Sequence, residues 1–257
     1  MIFAGFALFA VGGADIVRQF VPRRWIGFVA LALALLLIGS ISDALVPMAA
    51  GMLVGAAWVW SMPEERPSRL AFWPAIVLGV VSIGAVVWGG DRTDTGLIGD
   101  VWRLDSPFGA IPFDLALLVL GVVVFLLESA NLVVRAALDG EHTWRPLDAA
   151  PAAPKDGDAS PMPEGADSGV PDASPRSGFK GGRLIGPLER VIVFLLTLAG
   201  AYAVLAAVLA AKGIVRFPEI SRDGETGARA EYFLVGSLVS WVIALGAAFL
   251  VWWSVHT

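Results

Sequence analysis

Two uncharged runs near the C-terminus constrain this chain more than anything else in it. Val191 to Ala211 is 21 residues without a charge, bounded by Arg190 and Lys212, and Tyr232 to Val255 supplies 24 more. At about 1.5 Å of rise per residue, each is long enough as a helix to cross a hydrocarbon core of about 30 Å. The expectation is a C-terminal membrane hairpin over residues 183–257. The composition agrees, because 57% hydrophobic residues and a mean hydropathy of +0.74 exceed the roughly 45–50% apolar content of soluble domains.

Small residues recur every four positions on both runs, as Ala199, Ala203, Ala207 and Ala211 on the first and Gly236, Ser240, Ala244 and Ala248 on the second. Such stripes let backbones approach where lipid offers no hydrophobic drive to associate. The shared spacing predicts that the two helices face each other. Lys212 and Arg216 share one helix face, and Glu231 and Tyr232 begin the next helix at the same membrane surface. These four residues form a candidate charge cluster on the outer face, with a cation paired to Glu231 across the loop.

The order of GxxIGxLER, AAKGxxRF and EYFLxGSLxSW is similar to the C-terminal two-helix segment of an uncharacterised family of bacterial inner-membrane proteins. The matching positions are Gly182, Ile185, Gly186, Leu188, Glu189, Arg190, Ala210, Ala211, Lys212, Gly213, Arg216, Phe217, Glu231, Tyr232, Gly236, Ser237, Leu238 and Ser240. The chain departs from that family at Gly213, where Ser is usual, and lacks its N-terminal pattern of His, Asp, Phe and Gln. The resemblance implies a membrane hairpin and no activity.

Upstream, residues 1–138 read as a five-helix transmembrane body. Met1 to Val17 is apolar except for Asp15, Trp25 to Ser42 and Ala44 to Pro63 form a tight hairpin about Asp43, and Leu70 to Gly90 supplies a fourth uncharged run. Asp15 with Arg18 reads as an end-of-helix pair. Asp91 to Asp114 holds five Asp and two Arg among apolar residues, which suits a segment lying along the headgroups. A fifth helix spans about Leu115 to Leu138. Residues 139–182 read as a disordered cytoplasmic linker, since Pro146 to Gly182 carries seven Pro and six Gly among 37 residues and has too little apolar surface to fold alone. The fold class is therefore all-α, a polytopic transmembrane bundle of about seven helices. With the N-terminus outside and the C-terminus cytoplasmic, twelve of the eighteen Lys and Arg residues fall on the inner side. The expectation is a multi-pass membrane protein, and the resemblance implies that the membrane is a bacterial inner one.

The fifth helix carries the most informative side chains, in LLESANLVVRAAL. Glu128 lies about 20 Å along it from Leu115. A charge at helix centre costs roughly 2.5–3.5 kcal/mol on insertion scales, so it needs a partner, water or a proton. Asn131 and Arg135 share its face, and Glu189 and Arg190 enter the sixth helix at a similar depth. These five make a candidate intramembrane polar cluster, with Glu128 paired to Arg190 and Arg135 to Glu189. Such pairing would dock the C-terminal hairpin onto the body.

A net charge of −5 opposes a nucleic-acid role. With no Cys and only two His, thiolate chemistry is excluded and metal binding is left with a weak surface cluster of Asp139, Glu141 and His142. No GxSxG, HExxH or phosphate-loop motif is present. No enzyme activity, catalytic residue or cofactor is expected. Two readings remain. One is a scaffold or accessory subunit in the lipid bilayer, binding a membrane-protein partner or a second copy of itself through small-residue helix faces. The other is a small proton- or ion-coupled carrier using Glu128 and Asn131.

Overall fold

A computed structural model of the chain describes residues 1–62, 72–90, 92, 95–106, 109–140, 182–221 and 228–256. These form ten helices and one short ribbon: α1 (Ile2–Phe20), α2 (Arg24–Ile41), α3 (Leu45–Ser61), α4 (Trp73–Trp88), α5 (Gly96–Val101), α6 (Phe113–Leu127), α7 (Ser129–Gly140), α8 (Gly182–Leu198), α9 (Tyr202–Ser221) and α10 (Ala228–His256). The ribbon pairs β1 (Asp105–Ser106) antiparallel with β2 (Gly109–Ala110) in the segment expected along the headgroups. The all-α class holds. Residues 141–181, most of the expected linker, and the loop Glu64 to Arg69 lie outside the described residues, as do Glu141 and His142 of the weak surface cluster.

The helix that organises the bundle is α1. Phe6, Val11 and Asp15 are fully enclosed, and α3 and α6 run parallel to α1 on two of its sides. Gly51 and Gly55 of α3 sit against Phe6 and Ala10, while Gly5 and Gly12 sit against the α6 backbone at Leu117–Leu118 and Val124–Phe125. A methyl group built at Gly12 would stand 2.7 Å from the Phe125 amide nitrogen, so the α1–α6 contact requires glycine there. Helix α2 runs back along α1, with Gly27 against Val17 and Gly13 against Leu31, and α4 brings Gly89 beside Met1. The core is continued by Leu118, Val122, Leu126 and Phe194.

Three helices are long and apolar enough to cross a membrane, Ile2–Phe20, Arg24–Ile41 and Ala230–His256. The α6–α7 pair is a fourth if its 46° bend is counted within one span, and Leu45–Ser61, Trp73–Trp88 and Tyr202–Val215 are shorter apolar helices. Seven spans are therefore not what these lengths establish. Two of the expected straight helices are also broken. The fifth bends at Glu128, whose φ of −126° lies outside the helical range. The sixth ends at Leu198, turns through Gly200 at φ +67°, and returns as α9. The Lys212 ammonium lies 2.7 Å from the Glu189 carboxylate. A straight helix would hold these residues about 35 Å apart, so α8 and α9 fold back on each other.

The fold-back decides which residues share an end of the bundle. At one end lie Arg18 with the α3 terminus, Leu138 of α7 beside Gly236 of α10, and Glu189 with Lys212. We call this the basic end. At the other, Arg92 donates to the Ser42 carbonyl in the α2–α3 turn and lies 3.9 Å from Asp114 at the start of α6. Asp43 in that turn takes a φ of +48°, and this end is acidic.

Candidate functional site

The break in α6–α7 gathers nearly every buried polar side chain of the basic half. A helix that stops at Leu127 and restarts at Ser129 leaves carbonyls without their usual amide donors. Arg190 of α8 donates from Nε to the Leu126 carbonyl at 3.1 Å, and the Asn131 side-chain amide donates to the Leu127 carbonyl at 3.3 Å. Arg190 also donates to the Asn131 side-chain oxygen and to Ser240 of α10, the latter at 3.5 Å. It is 3% exposed. The guanidinium thus splints the break and ties α8, α10 and α7 together, a use suited to its planar fork of donors.

Asp15 faces the same break from α1. It accepts hydrogen bonds from Ser129 Oγ at 2.6 Å, Trp58 Nε1 at 2.8 Å and Arg18 at 3.3 Å. Arg18 in turn donates to the Met62 carbonyl beyond the end of α3 at 3.0 Å. The expected Asp15–Arg18 pair is present at 3.3 Å, and beyond it Asp15 joins α1, α3 and α7. It was the only charge inside the first apolar run, the same signal that singled out Glu128. Trp58 and Ser129 carried no comparable signal.

The five residues of the expected intramembrane cluster do converge here, with different partners. Glu128 is 3.9 Å from Arg135. Glu189 pairs with Lys212 through both carboxylate oxygens at 2.7 Å and accepts from Trp241 Nε1 at 2.8 Å. The reason is geometric. The bend at Glu128 rotates Arg135 back towards it, and the α8–α9 turn delivers Lys212 to Glu189 first. The second expected cluster is therefore not at an opposite surface. Lys212 lies 5.5 Å from the Phe233 ring and 5.6 Å from that of Trp241, so Lys212 and Tyr232 belong to the same end as Glu189. No pairing of Lys212 with Glu231 replaces the one with Glu189 among the described residues, and the Arg216 side chain lies outside what is described.

The two small-residue stripes do not face each other. On α10, Ser240, Ala244 and Ala248 are buried and Gly236 partly so, packed towards α7, α8 and the body. On α9, Ala199 before it and Ala203, Ala207 and Ala211 along it are all exposed. Beside the cluster, a cleft of about 460 Å³ opens at the basic end between the C-terminus of α1, α7 and the start of α10. An apolar hollow of about 410 Å³ lies between α1, α2 and α3.

No protein-family model, no curated protein and no solved structure matches this chain.

Proposed function

We propose that the chain is an integral protein of a bacterial inner membrane with no catalytic activity of its own, acting as a scaffold or accessory subunit. Exposed tryptophans support the membrane reading. Trp25, Trp60 and Trp73 sit at the basic end and Trp88 and Trp252 at the acidic end, the two levels where indole rings favour the headgroup boundary. Between them α2 and α4 expose Val29, Leu33, Leu37, Val77 and Val80. The fold-back of α8–α9 supports a particular orientation. Every Lys and Arg except Arg92 and Arg103 falls at the basic end or on a connection between helix ends there. The positive-inside rule then puts that end in the cytoplasm and both ends of this chain outside, in place of a cytoplasmic C-terminus.

The observation that carries the scaffold reading is the contrast between the stripes. The α10 stripe is consumed in packing the protein against itself, whereas the α9 stripe faces outward from a folded-back helix. The carrier reading is weaker, because the Asn131 oxygen already accepts from Arg190 and Glu128 faces Arg135. Purification from native membranes in mild detergent, with Ala207→Leu as the control, tests this. One stoichiometric membrane partner, or a dimer, that disappears in the variant while its unfolding midpoint is unchanged is the expected result. A single monomeric species in both would sink the scaffold reading and move attention to proteoliposome flux with Glu128→Gln.

A further inference from the structure

The cleft at the basic end has a chemistry that the scaffold reading does not use. Its walls are Gln19 from α1, Asn131, Val134, Arg135 and Leu138 from α7, and Tyr232 from α10. Among the described residues they contribute one guanidinium, two amides and one phenol, and no carboxylate. The Arg135 side chain is 61% exposed, while that of its neighbour Glu128 is 7% exposed and stands behind it at 3.9 Å. Among the described residues Glu128 is the ionic partner of Arg135, and a single contact near the limit of ion pairing leaves most of the fork facing outward. Val134 and Leu138 give the cleft an apolar floor, and both lie beside Gly236, which adds no side chain.

We propose that this cleft binds a phosphate-ester anion, with Arg135 as the charged contact. This rests on reading the basic end as a membrane surface, where such an anion is supplied either by a phospholipid headgroup or by a soluble phosphate. An arginine fork matches a phosphate geometrically, and the apolar floor would suit the glycerol and first acyl carbons of a lipid.

The test uses the full chain in nanodiscs of phosphatidylcholine alone, of phosphatidylcholine with phosphatidylglycerol, and of phosphatidylcholine with inorganic phosphate added. Lipid retention is read by native mass spectrometry and stability by thermal unfolding. Arg135→Gln and Arg135→Lys are compared with Arg24→Gln, a change at the same end but outside the cleft. Retention of phosphatidylglycerol that Arg135→Gln weakens about ten-fold, Arg135→Lys weakens less and Arg24→Gln leaves alone supports a lipid anion. Stabilisation by inorganic phosphate in phosphatidylcholine discs that Arg135→Gln abolishes supports a soluble one. Equal effects of Arg24→Gln and Arg135→Gln, or no anion dependence in either arm, overturn the proposal. If the protein enters discs and unfolds cooperatively without any anion effect, the membrane reading survives and the cleft assignment alone fails.

Discussion

Asp15 from α1 and Arg190 from α8 both meet the helix break at Glu128, and each is held by groups on other helices. Removing the Asp15 carboxylate takes an acceptor from Trp58, Ser129 and Arg18 at once, and breaking a buried ion pair costs about 3–5 kcal/mol. Asp15→Ala is expected to lower stability by about that amount in unfolding titrations in mixed micelles. Ser129→Ala should cost less, about 1–3 kcal/mol, since it removes one hydrogen bond to a carboxylate that keeps two others. Equal, negligible effects of both would mean that the three-helix junction does not depend on this carboxylate. The depth of Glu128 and the nearness of Asn131, Arg135, Glu189 and Arg190 were legible as sequence positions. The pairings were not, because a choice between two carboxylates and three cations turns on ångström differences set by a 46° bend and a tight turn.

At the scale of the helix, close packing of α1 rests on glycines distributed along α1, α3 and α6. Gly12→Ala would drive a methyl into the α6 backbone, and the only relief is separation of the two helices. Overpacking of this kind costs about 1–3 kcal/mol. Gly213 on α9 has nothing within 4 Å of where a methyl would stand. There, Gly213→Ala should be neutral or stabilise by up to about 1 kcal/mol through helix propensity. The pair of variants, measured side by side in the same micelle titration, separates a packing code from a compositional one, and a tolerated Gly12→Ala would refute the α1–α6 contact. The small-residue spacing at the C-terminus is legible in the sequence, whereas the packing glycines of α1, α3 and α6 belong to no such stripe of four. Spacing marks a face that can pack, and only the rotation of each helix says whether it does.

For the whole molecule, the fold-back of α8–α9 is the decision on which the sidedness of the C-terminal third depends. A straight crossing from Arg190 to Lys212 would put position 213 on the opposite side from Arg190, and a turned-back hairpin puts it on the same side. The chain has no Cys, so Gly213→Cys introduces a single label. In cells with an intact inner membrane, an impermeant maleimide is expected to reach this thiol only after the membrane is opened. Modification from outside the intact membrane would restore the straight sixth helix and a C-terminus on the cytoplasmic side.

What the sequence determined by itself was the helical class, the places where charge-free runs begin and end, and the concentration of buried charge near Glu128. Those follow from local physics, since a run of apolar residues has one good way to satisfy its backbone and a charge within it must be compensated. Only the tertiary structure decided that two of the expected helices are broken, that Asp15 binds Trp58 and Ser129 as well as Arg18, and that Lys212 returns to Glu189. A run of 21 uncharged residues can form one helix, or two joined at Gly200 where turn bonds from the Gly200 and Ala201 amides to the Thr197 and Leu196 carbonyls meet part of what the break frees. The difference lies in contacts with Trp241, Phe233 and the α10 face, residues that are remote in sequence and meet only when the bundle closes.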